Sequence, residues 1–240
     1  MVQRAKSHSG ESVLSTKRKT VAVSTQPTVL VTGFDAFGGD DINPSWLAAK
    51  ALHNRIIHGH KVTAAQLPTV FDGSLERLRA LLKQHKPTLT ICVGQAGGRS
   101  AISLERVAIN VNDARIADNA GAQPVDTPVV SGALAAYFST LPIKAMLGAL
   151  QSEGIPAEVS QTAGTFVCNH VFYGLMHLLA TEPAFKRSRG GFIHVPWLPD
   201  QGSRGTPCMP LTDITRGLEL AVQIALSTRK DAVASAGALN

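Results

Sequence analysis

Cysteine is scarce in this chain. Cys92, Cys168 and Cys208 are its only thiols. They are too few and too scattered for a disulfide framework, and an odd count fits a reducing compartment. No run of 18 apolar residues occurs, so no membrane-spanning helix is expected. Charged residues make up only 17% of the chain against 44% apolar, whereas disorder requires the reverse balance. Glycine (21) and proline (13) are near ordinary usage for 240 residues, which excludes collagen-like and low-complexity classes. The length allows one sizeable core, or at most two small ones.

A basic stripe is also missing. The formal net charge is +6, but Arg4, Lys6, Lys17, Arg18 and Lys19 stand against Glu11 alone in residues 1–26, and these hold most of the excess. The rest of the chain is nearly neutral, so a nucleic-acid partner is not expected. Residues 1–26 lack a periodic apolar face and read as a flexible basic extension. Their basic, serine-rich composition also fits a transit peptide, whereas a secretory signal would need a continuous apolar stretch. Residues 229–240 read as a small, polar, flexible tail. Between them, 27–228 reads as one domain.

Within that domain, strand-like and helix-like segments alternate. Thr28 to Gly33, Lys61 to Leu67, Leu89 to Val93, Ala157 to Gln161 and Phe192 to Val195 read as strands. Residues 44–57, opened by Asn43 and Pro44, read as a helix, as do 72–85, 142–153, 166–180 and 211–226. Residues 102–111 read as extended, and 113–132 as a long loop or hairpin. The pattern predicts a single-domain α/β/α sandwich with a mostly parallel, twisted sheet.

Ligands in such sheets sit beyond the carboxyl ends of the strands, so the strand-to-helix turns come first. Gly33-Phe-Asp-Ala-Phe-Gly-Gly39 lacks the Lys of a phosphate loop. Its Phe34 and Phe37 fit either a tight turn with core-facing rings or an apolar pocket wall. After Gly94-Gln-Ala-Gly-Gly-Arg99, Glu105 lies among aliphatic residues and needs a partner if buried. Arg99 or Arg106 could serve, or Glu105 could orient a histidine. Cys168 follows the turn Thr162-Ala-Gly-Thr and lies near a helix start, where a thiol is activated. A small buried hydrophobe is the other reading of a lone cysteine. Of eight histidines, His194 alone sits at the carboxyl end of an apolar strand. It is either a base or a core histidine. Neither Cys168 with His170 nor His58 with His60 has zinc-site spacing, and no Gly-x-Ser-x-Gly elbow occurs.

Together these stretches resemble the pyroglutamyl-peptidase I (pyrrolidone-carboxylate peptidase) family of cysteine peptidases, over roughly residues 28–228. The matching pieces are Gly33-Phe-x-x-Phe-Gly-Gly with Asn43-Pro-Ser45, Leu67-Pro-x-x-Phe71, and Gly94-x-Ala-Gly-Gly-Arg99 with Ser103-x-Glu-Arg-x-Ala-x-Asn110. Asp113-Ala-Arg-Ile116, Asp118-Asn119, Thr162-Ala-Gly-x-Phe-Val-Cys-Asn169 and Phe192-Ile-His-Val-Pro196 complete the set. The resemblance implies a cytoplasmic exopeptidase that removes N-terminal pyroglutamate without metal or organic cofactor, and a homo-oligomer, dimer or tetramer. It implies Cys168 as nucleophile, His194 as general base and Glu105 as third triad member. Arg115 would contribute main chain to the oxyanion hole. Phe34, Phe37, Ile116 and Val167 would wall the pyroglutamyl pocket, with Gln95 and Asn43 as polar groups near it. The basic extension and Ala120 depart from the family pattern. The alternatives are a cysteine amidase for another small lactam or cyclic amide, and an inactive pyroglutamyl-binding module. A nucleoside phosphorylase-like enzyme matches only as a fold analogy.

Overall fold

A computed structural model describes residues 1–2, 26–202 and 205–237. The extension expected over residues 1–26 therefore lies largely outside the described residues. A seven-stranded sheet forms the centre. In chain order the elements are β1 (Thr28–Phe34), α1 (Pro44–Ala51), β2 (Ile56–Ile57), β3 (His60–Leu67), α2 (Phe71–His85), β4 (Leu89–Gln95), β5 (Ile102–Glu105) and β6 (Val107–Ile109). They continue with β7 (Ala136–Phe138), α3 (Ile143–Ser152), β8 (Ala157–Ser160), α4 (Val167–Thr181), β9 (Arg189–Val195) and α5 (Leu211–Ser227). The sheet order is β2-β3-β1-β4-β9-β5-β8, and β6 pairs with β7 apart from it. β1 runs parallel to β3 and β4, β4 to β9, and β5 to β8. Only β2–β3 and β5–β9 are antiparallel within the sheet.

Strand alternation sorts side chains onto two faces. Val29, Val31, Leu89, Ile91, Val93, Ile102, Leu104, Ile193 and Val195 face one core, beneath α1, α3 and α5. Leu30, Phe34, Cys92 and Phe192 face the other, beneath α2 and α4. Position parity then decides where the chemistry lies. Glu105 alternates with Leu104, and His194 with Ile193, so both point to the α4 face. The α/β/α sandwich is thus the observed fold, and among the described residues no helix is long and apolar enough to cross a membrane.

Three expected segments differ in detail. The helix expected over 44–57 ends at Ala51, because Asn54 takes φ 65° and His58 and Gly59 also adopt positive φ, turning 56–67 into a hairpin. The extended segment 102–111 divides at Arg106 between two sheets. Residues 229–237, read as a flexible tail, lie against α3. Pro142 gives α3 no side-chain cap, and Asp231 instead accepts from the amides of Lys144 (3.1 Å) and Ala145 (2.9 Å). A carboxylate there satisfies orphan donors and meets the positive end of the helix.

Candidate active site

The site assembles where β4 and β9 end beneath the start of α4. Gly94 of β4 is the register partner of His194 of β9. A Cβ at Gly94 would lie 2.7 Å from the Cys168 sulfur and 2.8 Å from Phe192 Cζ. Any larger residue would therefore collide with the thiol, and glycine leaves the space that the sulfur fills. The Phe192 ring also packs against His194, with centroids 4.9 Å apart.

The imidazole is held from below. His194 Nδ1 lies 2.7 Å from Glu105 Oε1. With the carboxylate as acceptor, Nδ1 carries the hydrogen and Nε2 is left as the basic nitrogen. Glu105 is fully buried, and its Oε1 also accepts from Arg99 Nη1 at 2.8 Å. Its Oε2 meets no donor among the described residues. Both partners weighed for Glu105 in the sequence, arginine and histidine, are present on one oxygen.

Cys168 is the second residue of α4. The turn before it is built locally: Gly164 takes φ 76°, and its amide donates to Thr162 Oγ1 at 3.0 Å. A helix start alone would lower the thiol pKa. Here burial pushes it up to about 12, the Glu105 charge pushes the same way, and Arg99 opposes them. These influences favour the protonated thiol, and the half-buried sulfur lies beside an imidazole that could take its proton. Cys92, fully buried, is also raised to about 12 by burial, and Cys208 is exposed.

Phe166, before α4, offers no side-chain cap, and the first helical hydrogen bond recorded there runs from the His170 amide to the Phe166 carbonyl. The Cys168 amide is thus one of the orphan donors of the first turn. Arg115 lies in the neighbouring loop, which is tied to the same turn: the Asp113 amide donates to the Thr165 carbonyl (3.0 Å) and Thr165 Oγ1 to the Asp113 carbonyl (2.7 Å). The amide of Arg115 has no acceptor among the described residues.

Of the expected pocket residues, Phe34 and Val167 are buried in the cluster against which Cys168 packs. Phe37 is partly buried and reaches Phe166, with centroids 6.0 Å apart. Ile116 is 38% exposed, beside Arg115. Gln95 follows Gly94. It donates from Nε2 to Asp40 Oδ2 (3.1 Å) and accepts at Oε1 from Gln201 Nε2 (3.1 Å). Asn43 is turned inward: its Oδ1 accepts from the Ser45 amide and hydroxyl, and its Nδ2 donates to the Asp35 carbonyl. It caps α1 and closes the turn that carries Phe34 and Phe37.

Asn169, Asp118 and Asn119 stand in stretches quoted for the family resemblance, but the sequence reading gave them no role. Asn169, buried beside Cys168, accepts from the Ile109 amide and donates to the carbonyls of Ile109 and Val111. It clamps the Arg115 side of the site to α4. Asp118 accepts from the amides of Phe71, Ala120 and Ala122. Burial raises its carboxyl pKa, but these amides together hold it below the usual range. Asn119 donates to the Ala36 carbonyl. The motifs singled these residues out, but no spacing in them shows which partners they hold.

Comparisons with known proteins place the chain in a family. The family model described as pyroglutamyl peptidase matches residues 27–228. A pyrrolidone-carboxylate peptidase of Bacillus cytotoxicus is 55% identical over 212 residues, covering 88% of this chain and 98% of the relative. One from Bacillus cereus is 55% identical over 213 residues, with the same coverage. The crystal structure of Bacillus amyloliquefaciens pyroglutamyl peptidase I superposes with a TM-score of 0.83 at 48% identity, over 86% of this chain and all of that one. Pyrrolidone carboxyl peptidase from Thermococcus litoralis gives 0.81 at 38% identity, over 84% and 94%. From the Gly33 turn to the His194 strand, the chain belongs to the pyroglutamyl peptidase family of cysteine peptidases.

Proposed function

We propose that this chain is a pyroglutamyl-peptidase I that hydrolyses the N-terminal pyroglutamyl residue from peptides and proteins, with Cys168, His194 and Glu105 as its triad. One observation carries the reading: His194, held by Glu105 of β5, lies on the strand beside Gly94, and the Cys168 sulfur fills the space above that glycine.

The chemistry follows from the groups present. As Cys168 Sγ bonds to the pyroglutamyl carbonyl carbon, its proton passes to His194 Nε2. Glu105 holds the tautomer and stabilises the imidazolium that forms. The oxyanion is met by the amides of Cys168 and Arg115, preorganised donors each worth about 3 kcal/mol. The imidazolium then protonates the leaving amine, and a thioester remains. Water, deprotonated by His194, attacks the thioester and releases pyroglutamate. Phe34, Phe37, Ile116 and Val167 are the apolar walls of the proposed pocket. Gln95 is the main polar contact, and Asn43 a more remote one whose oxygen is already taken by Ser45.

The reading extends to a homo-oligomer in the cytoplasm. Phe138 (70% exposed) and Leu134 (64%) support an interface near the β6–β7 pair, and three free thiols suit a reducing compartment. Size-exclusion chromatography with light scattering tests the assembly.

The test of function is kcat/KM for one fluorescent leaving group on pyroglutamate, proline, glutamine and glutamate, with and without iodoacetamide. The pyroglutamyl amide should be preferred by about a thousandfold or more, because the wall residues cannot pair an ammonium. Cleavage of the glutamine compound within tenfold of the pyroglutamyl one would sink the pocket assignment. Preference for another cyclic amide would instead favour the amidase alternative.

A further inference from the structure

We propose that Arg99 is a positioning residue of this site: it supplies the counter-charge of buried Glu105, ties that carboxylate to the turn that launches the Cys168 helix, and thereby tunes thiol reactivity. The inference rests on the reading of Cys168 as the nucleophile.

Arg99 lies in the loop between β4 and β5, with its side chain 28% exposed. One guanidinium nitrogen donates to Glu105 Oε1 at 2.8 Å, and the other to the Thr162 carbonyl at 3.2 Å. The two acceptors belong to different parts of the site. Glu105 orients the imidazole, and Thr162 opens the turn that ends at Cys168. A planar fork spans both, whereas a lysine ammonium is a single point of charge.

A surface ion pair would do little. This one differs because Glu105 is fully buried, its other oxygen has no donor among the described residues, and the paired oxygen is the one that holds His194. Stripping the partner from a buried charge is strongly destabilising.

The charged and titratable groups around the sulfur are few. Glu105 comes from β5, His194 from β9, Cys92 from β4, and Arg99 from the β4–β5 loop. On α4 itself, His170 is turned to Phe71 and Asn112. On β8, Glu158 accepts from Ser103 Oγ. Arg99 is the permanent cation of this set. Glu105 opposes ionisation of the thiol and Arg99 favours it. Without Arg99 the carboxylate acts on the sulfur unopposed.

The experiment uses the full chain with Cys208→Ser, so that the exposed thiol does not react. Two quantities are measured for this protein and for its Arg99→Gln and Arg99→Lys forms. They are the rate of Cys168 alkylation by iodoacetamide at pH 8, and the pH profile of kcat/KM on a pyroglutamyl amide. Arg99→Gln should slow alkylation about tenfold and move the acid limb of the profile up by about one pH unit. Arg99→Lys should restore the alkylation rate to within about threefold but leave kcat about tenfold low, because the ammonium cannot reach both acceptors. A folded Arg99→Gln protein with unchanged alkylation and pH profile overturns the proposal. Should Arg99→Gln not fold, an Arg99→Lys protein with wild-type kcat overturns it instead. Alkylation needs no turnover, so a parent protein that is alkylated at Cys168 but releases no pyroglutamate fails the functional reading alone.

Discussion

Gly94 and His194 stand side by side on adjacent parallel strands, and the Cys168 sulfur occupies the space that any side chain at 94 would need. The thiol and the imidazole are thus brought together by the absence of a methyl group.

That geometry makes Gly94→Ala informative. The new carbon would sit 2.7 Å from the sulfur and 2.8 Å from the Phe192 ring. One of them must move, and displacements near 1 Å cost about a hundredfold in rate. Thermal melting should show a folded protein while kcat/KM drops by that order. Full activity would mean that the sulfur is not held where the structure places it.

The three thiols should separate cleanly. Cys168→Ala is expected to abolish turnover, and Cys208→Ser, at an exposed position, to leave it unchanged. Cys92→Ala should keep most activity at a stability cost of about 1 kcal/mol, as for a small buried group. Substantial turnover by Cys168→Ala would end the thiol mechanism.

Glu105→Gln tests the orienting carboxylate. The amide cannot stabilise an imidazolium and leaves Arg99 without its partner. A loss in kcat of about 10²–10⁴-fold with little change in KM is expected. A change confined to KM would place Glu105 in substrate binding instead.

His170 makes a prediction about pH and stability. Burial lowers its pKa from 6.5 to about 4, with Asp72 pulling weakly the other way. The folded state therefore resists a proton that the unfolded chain takes up as pH falls through 6.5. This stability is intact above that value, is lost progressively down to about 4, and changes no further below it. The loss at pH 5 relative to pH 8 is about 2 kcal/mol. Urea unfolding at both pH values should show it, and His170→Gln should flatten the dependence. An equal slope in the variant would assign the effect to other groups.

Much of this fold was legible because periodicity is local. The continuous apolar runs at Thr28–Gly33 and Leu89–Val93, buried on both faces, and the apolar stripe of α2 (Leu75, Leu78, Leu81 and Leu82) follow from which side chains must leave water. What stayed hidden was set by distant partners. Ala136–Phe138 is a strand only because Val107–Ile109 pairs with it. The break at Arg106 occurs where the chain passes between sheets, its amide donating to the Ser160 carbonyl and its carbonyl accepting from Ser139. The premature end of α1 was signalled by Asn54 and His58-Gly59, residues that tolerate positive φ. In the site, residue types at strand ends pointed to Cys168 and His194. The inward turn of Asn43 and the double engagement of Gln95 depend on Ser45, Asp40 and Gln201, which no spacing rule links.

Glu105 and His194 are 89 positions apart, and β5 sits between β9 and β8, both made after it. On the ribosome, a chain extended past residue 168 but not yet to residue 194 has the proposed nucleophile but not the proposed base, and its β5 lacks one of its neighbours. The nascent protein is therefore catalytically silent until its last quarter emerges. The same topology governs refolding from denaturant: long-range pairing is slow, so the return of turnover should lag collapse and serve as a clock for closure of the sheet.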